Sequence, residues 1–307
     1  MRAFLFPGQG SQVVGMGAAL AGASEAARRI FEEVDEALGQ NLFRLMRDGP
    51  DEELKLTENA QPAIMAHSIA VLRAWGIRLP DVTNFVAGHS LGEYSALCAA
   101  GSFDLPTTAK LLKLRGQAMQ QAMPVGEGAM AALLGADLAL AQKIADAAAQ
   151  GEVCTVANDN DPTQVVISGH KAAIDRAIEL AKEMGAKRAI ALPVSAPFHC
   201  PLMQPAADAM QDALSYVVVE APAVPLYANV TAQPERDPDT IRNQLVEQVT
   251  GMVRWRESVA NMASAGVGEF IELGGKVLGG MVKRIAPDAK VTSVVTIEDI
   301  EALAREI

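Results

Sequence analysis

Gly88-His89-Ser90-Leu91-Gly92 sets one serine between two glycines at the spacing of a nucleophile elbow. In such an elbow a strand turns into a helix so sharply that flanking side chains would collide. The serine is held in a strained backbone conformation with its hydroxyl above the sheet. Phe85-Val86-Ala87 reads as the strand and residues 91–100 as the helix, whose free N–H groups and dipole face the hydroxyl. The same pentapeptide also fits an ordinary βα turn. A serine hydroxyl is a poor nucleophile at neutral pH and needs a base within hydrogen-bond reach. Of the four histidines, His89 adjoins Ser90 but points to the opposite side, while His67 and His170 lie in ordinary helical contexts. His199 remains, held in the rigid segment Pro193-Val194-Ser195-Ala196-Pro197-Phe198-His199-Cys200-Pro201. It follows the serine in the chain, the order of α/β-hydrolase-like enzymes, although a histidine there can also simply cap the next helix. The chemistry implied is attack of an activated serine on a carbonyl, with the negative oxygen that develops held by backbone donors. The Leu91 N–H would be one oxyanion donor and the Gly8-Gln9-Gly10 loop the source of another, each worth about 3 kcal/mol in the transition state. No acid to orient His199 stands out: Asp104, Asp137, Asp159 and Asp161 lack a supporting context, and a backbone carbonyl can do that work.

The elements that must position these groups alternate between strand and helix. Residues 3–6 form a first strand running into Pro7-Gly8-Gln9-Gly10, but Val13 stands where a dinucleotide fingerprint needs its third glycine. Helices follow over 24–38, capped by Ser24, over 59–75, capped by Asn59 with Pro62 in the first turn, and over 105–123. On local pattern, His67 is a packed core histidine and Arg115 a surface charge. Strands at 129–134, 153–157, 164–168 and 189–192, with helices at 138–149 and 171–184, make one βαββαβ ferredoxin-like unit; residues 158–162 read as a turn. Beyond it come helix 202–214, strand 225–229, helices 240–249 and 254–265, and strand 269–273. Gly274-Gly275-Lys276-Val277-Leu278-Gly279-Gly280 lacks Walker spacing and reads as tight packing before strand 291–295 and helix 297–307. The fold class is α/β, with an α/β-hydrolase-like core of mainly parallel sheet and an inserted ferredoxin-like subdomain. Residues 1–125 and 194–307 would form the core and 126–193 the small subdomain.

With 307 residues, half of them hydrophobic and 21% charged, the chain has a globular composition. No apolar run approaches the roughly 18 residues of a membrane span, and the first residues are broken too soon by Pro7-Gly8 for a signal peptide. Three cysteines without metal-like spacing point to a reducing compartment, and a cytoplasmic location is expected. A net charge of −11 argues against nucleic acid or an anionic membrane as partner. An acidic partner would need a local basic patch, from among Arg115, Lys187-Arg188, Arg254, Arg256, Lys276 and Lys283-Arg284.

Phe6-Pro7-Gly8-Gln9-Gly10-Ser11-Gln12, Gly88-His89-Ser90-Leu91-Gly92-Glu93-Tyr94 and Phe198-His199 together resemble the malonyl-CoA:acyl carrier protein transacylases of bacterial fatty acid synthesis. The resemblance runs nearly end to end. It implies ping-pong transfer of a malonyl group from malonyl-CoA to the phosphopantetheine thiol of an acyl carrier protein, with no metal or redox cofactor. Ser90 would carry the acyl group and His199 would be general base. The N–H groups of Gln9 and Leu91 would form the oxyanion hole, and Arg115 would clamp the malonyl carboxylate. The main-chain carbonyl of Gln248 would orient His199, making a Ser–His dyad, and Gln61 would line the pocket. Phe198 stands where free-standing bacterial members often have serine, and resembles the malonyl-selective domains of polyketide synthases. It would disfavour a methyl branch by about 1–3 kcal/mol. Other readings on the same core are a serine esterase or thioesterase, a polyketide-pathway malonyltransferase, and a non-catalytic scaffold that binds carrier protein.

Overall fold

Phe4 and Phe6 turn to one face of the first strand and Ala3 and Leu5 to the other, and all four are fully buried. That is the mark of a parallel strand covered on both sides. The computed structural model describes residues 1–194 and 196–306. In chain order the strands are β1 (Arg2–Phe6), β2 (Phe85–Gly88), β3 (Gly128–Leu134), β4 (Cys154–Asp161) and β5 (Gln164–His170). They continue with β6 (Arg188–Ala191), β7 (Leu226–Tyr227), β8 (Pro234–Glu235), β9 (Glu269–Leu273) and β10 (Lys290–Val294).

The larger sheet runs β10-β9-β1-β2-β7-β8, parallel throughout except for β8, which pairs antiparallel with β7. Helices Glu25–Leu38, Thr57–Trp75 and Leu105–Gln121 cover the Phe4 and Phe6 face. Helices Trp255–Ser264 and Leu278–Ile285 cover the other. Helix Thr57–Trp75 is buried from Asn59 to Leu72, which its run of Ala60, Ala63, Ala66 and Ala70 permits by letting neighbours approach. It begins two residues earlier than its sequence pattern predicts. Asn59 is therefore not the cap; it lies inside the first turn, and its Nδ2 donates to the Glu53 carbonyl at 2.9 Å. Ser24 does cap its helix, accepting from the Ala27 N–H.

The smaller sheet is antiparallel in the order β4-β5-β3-β6, the order of a ferredoxin-like βαββαβ unit. Helices Leu138–Ala149 and Lys171–Glu183 pack on Ala131, Leu133, Val165 and Ile167 on one face. Met130, Ala132 and Val166, on the other, join the main core. Residues 158–161 are strand rather than the predicted turn, and all four are buried. Their asparagines and aspartates favour turns by local preference, but partners from the larger sheet's helices override it. Asp159 pairs with Arg256 and Asp161 with Arg284, each at 2.8 Å, and Asn160 Oδ1 lies 2.8 Å from His89 Nε2. Backbone bonds from Asp159 to Val253 and from Val253 to Ala157 complete the seam. No helix among the described residues is long and apolar enough to cross a membrane.

Candidate active site

β1 and β2 pair with Phe6 opposite Gly88, so the loops that follow them emerge side by side at the carboxyl edge of the sheet. After β2 the chain turns through Ser90, at φ 54°, into helix Gly92–Ala99. A Cβ on Gly88 would lie 1.9 Å from the Gly92 carbonyl carbon, and one on Gly92 would lie 2.2 Å from the Phe6 oxygen. No other residue fits either place. Ser90 sits in the left-handed region that costs a non-glycine residue of order 1–3 kcal/mol, so the surroundings must hold it there. Asn229 does so from both sides. Its Oδ1 accepts from the Ser90 N–H at 2.8 Å, and its Nδ2 donates to the Gly88 carbonyl at 2.7 Å.

His199 is also left-handed, at φ 56°, and is buried. Its Nε2 lies 2.8 Å from Ser90 Oγ, and its Nδ1 donates to the Gln248 carbonyl at 2.9 Å. With the proton fixed on Nδ1, the Nε2 lone pair faces the serine hydroxyl. Burial, and then the positive charge of Arg115, push the His199 pKa down to about 3, so the ring is neutral near pH 7.

Arg115, read locally as a surface charge, is instead buried next to the serine. Gly116 allows it: a Cβ there would lie 2.5 Å from Glu58 Cα, so helices Leu105–Gln121 and Thr57–Trp75 are in backbone contact. Arg115 Nη1 then donates to Gln61 Oε1 at 2.8 Å, and Nη2 donates to Gln248 Oε1 at 2.7 Å and to Ser90 Oγ at 3.1 Å. Its Nε–H, buried, has no partner among the described residues. A guanidinium with a spare donor in a desolvated place is a receptor for an anion.

Gln9, Gln61, Ser90, Leu91, Arg115, Phe198 and His199 line one cavity of about 440 Å³, and Gln248 lies fully buried beside it. Sequence reasoning marked all eight. A hydroxyl hydrogen-bonded to a neutral imidazole, with a buried cation alongside, can form an ester of an acyl group bearing a negative charge. The model of the acyl transferase domain family matches residues 3–276. The malonyl CoA-acyl carrier protein transacylase of Escherichia coli (strain K12) is 47% identical over 284 residues, covering 92% of each chain. That of Bacillus subtilis (strain 168) is 46% identical over 304 residues, 97% of this chain and 95% of its own. This chain belongs to the malonyl CoA-acyl carrier protein transacylase family. Among solved structures, the acyl-carrier-protein-S-malonyltransferase of Bartonella henselae superposes with a TM-score of 0.97 at 52% identity, covering 99% of this chain and 98% of that one. A malonyl-transacylase in complex with its type II PKS acyl-carrier protein matches at a TM-score of 0.97 and 40% identity over 100% of this chain and 99% of its own.

The transacylase site contains two residues and one side chain that sequence reasoning passed over. Asn229 carries no local signal, being one asparagine after a short strand. The Gln248 side chain, beyond its carbonyl, donates through Nε2 to the Ser90 carbonyl at 3.0 Å and to Glu93. Glu93 did carry a signal, as a lone charge in the otherwise apolar start of helix Gly92–Ala99. It is buried, and burial pushes its pKa up to about 7. The four candidate aspartates serve elsewhere. Asp104 and Asp137 cap helices, while Asp159 and Asp161 pair with arginines. His67 bonds the Gly274 carbonyl and His170 accepts from the Val153 N–H, as structural histidines do.

Proposed function

We propose that this protein transfers a malonyl group from malonyl-CoA to the phosphopantetheine thiol of an acyl carrier protein through an ester on Ser90. The observation that carries the reading is the 2.8 Å contact between Ser90 Oγ and His199 Nε2 with Arg115 in reach of the same oxygen. Ser90 Oγ attacks the thioester carbonyl as its proton passes to His199 Nε2. The N–H groups of Leu91 and Gln9, which have no protein acceptor among the described residues, receive the negative oxygen. The C–S bond breaks, and coenzyme A leaves as a thiol with the proton from His199. In the second half the carrier's thiol gives its proton to His199 and attacks the ester carbonyl. The bond to Ser90 Oγ breaks and the serine recovers its proton. Arg115 holds the malonyl carboxylate and so aims the acyl carbon, Gln61 shapes that end of the pocket, and Phe198 stands beside the carbon between the two carbonyls. The Gln248 carbonyl keeps the proton on Nδ1, so a Ser–His dyad suffices.

Residues 1–125 and 194–307 act as the catalytic core, with 126–193 as a subdomain closing one wall of the pocket. Met130 on that wall and the separate core beneath β3–β6 support this division. The product feeds fatty acid elongation in the cytoplasm. The acidic carrier docks on basic residues, and Lys187, Arg188 and Arg284, which line a common surface hollow, are candidates. Intact mass after exposure to malonyl-CoA tests the reading. Wild type gains one malonyl group and loses it on addition of holo carrier protein, whereas Ser90→Ala gains none and His199→Ala loads about 10²- to 10⁴-fold more slowly. Release of coenzyme A at the same rate with and without carrier would make the protein a thioesterase.

A further inference from the structure

Among the described residues, Glu93 is the one buried carboxylate that touches the machinery around Ser90 without a part in the transfer steps. Helix Gly92–Ala99 begins two residues after the nucleophile and carries Glu93 in its first turn. One carboxylate oxygen accepts from the Asn229 backbone N–H at 3.1 Å, and the other accepts from the Gln248 side-chain Nε2. Those two neighbours hold the reacting groups. Asn229 grips the Ser90 N–H and the Gly88 carbonyl. Gln248 supports the Ser90 carbonyl through Nε2, Arg115 through Oε1 and His199 through its main-chain oxygen.

Resting on the function proposed above, we propose that Glu93 is a positioning residue for acyl transfer. Its carboxylate fixes the Gln248 amide and the Asn229 loop, and through them aligns Ser90, His199 and Arg115. Only a carboxylate meets the demand, because both groups facing it are donors and both of its oxygens accept. An amide in its place turns one NH₂ against a donor. The ionisable groups facing Glu93 are Arg115, from helix Leu105–Gln121, and Tyr94 on its own helix; from the other sides come the uncharged Gln248 and Asn229. Arg115, although burial lowers its pKa, is a guanidinium and keeps its charge, while Tyr94, raised by burial, stays neutral across the working range. Protonation of Glu93 near pH 7 converts one acceptor into a donor, while His199, held down near 3, does not titrate there.

Single-turnover loading of Ser90, followed by intact mass from pH 5.5 to 9 alongside thermal melts, tests this with wild type, Glu93→Gln, Glu93→Asp and Gln248→Asn. The wild-type rate is expected to fall as pH drops through about 7. Glu93→Gln loads about tenfold more slowly at pH 8, as loss of a hydrogen bond to a charged group implies, and shows no limb near 7. Glu93→Asp regains part of the rate and the limb, which a merely structural role would not produce. Gln248→Asn keeps the main-chain carbonyl but withdraws the amide from Glu93 and also from Arg115 and the Ser90 carbonyl, so its readout is the pH profile. It is expected to lose the limb near 7 as Glu93→Gln does, and that readout stands should Glu93→Gln not fold. If folded Glu93→Gln loads at the wild-type rate with the wild-type pH profile, or Gln248→Asn keeps that profile, Glu93 has no positioning role. If wild type itself takes no malonyl group on Ser90, the acyl-transfer reading is what fails.

Discussion

Replacing Arg115 with alanine separates recognition of the acyl group from the chemistry on it. The guanidinium is buried, already bonded to Gln61 and Gln248, and keeps its Nε–H free of any protein partner among the described residues. A malonyl carboxylate would take two charge-assisted bonds from it, each worth about 1.5–3 kcal/mol. Some of that is offset, because contacts to Ser90 Oγ must loosen, leaving about 3 kcal/mol net, or roughly a hundredfold. The variant also strands the Gln61 and Gln248 amide oxygens, at about 1–3 kcal/mol each, so its melting temperature falls. Absolute rates would mix the two effects. The ratio of kcat/KM for malonyl-CoA to that for acetyl-CoA, measured on one preparation, cancels the folded fraction. That ratio is expected to drop about a hundredfold in Arg115→Ala, and Arg115→Lys to recover only part of it, since a lysine lacks the planar fork. An unchanged ratio in a folded variant would refute the carboxylate role of Arg115.

Phe198→Ala opens the wall beside the substrate's middle carbon, and kcat/KM for methylmalonyl-CoA relative to malonyl-CoA is expected to rise about tenfold. An unaltered ratio in competition assays means that the ring does not select against the branch. Stability is expected to fall as pH drops from about 6.5 towards 4, because the unfolded chain takes up protons on histidines that the folded protein keeps neutral. His67 resists protonation until about pH 4 and His199 until about 3, and His89 is lowered as well, all chiefly through burial. Glu93 acts in the opposite sense, gaining its proton near 7 when folded against 4.5 ordinarily, so it offsets one histidine of the three. Urea midpoints at pH 7.5 and 5 check the sign; a midpoint equal or higher at pH 5 contradicts it.

The sequence alone carried the groups whose identity is demanded by local geometry. Gly88 and Gly92 are fixed by contacts of about 2 Å that no side chain survives, so the elbow and its serine were readable from the pentapeptide together with the strand before it and the helix after it. Proline on both sides marked His199 as rigidly held, and the alternation of strand and helix gave both the parallel sheet and the βαββαβ unit. What the chain order could not carry was every role that depends on what lies across the fold. Arg115 looks like any helical arginine until Gly116 lets two helices touch and buries it beside Ser90. Residues 158–161 look like a turn until Arg256, Arg284 and His89 arrive to satisfy them as a strand. Glu93, Asn229 and the Gln248 amide are remote in sequence and meet only in the folded core, where leaving a polar group unpaired is costly. Local sterics write themselves into short motifs. Buried polar networks are decided by tertiary contact, because each member is tolerable only when the others are present.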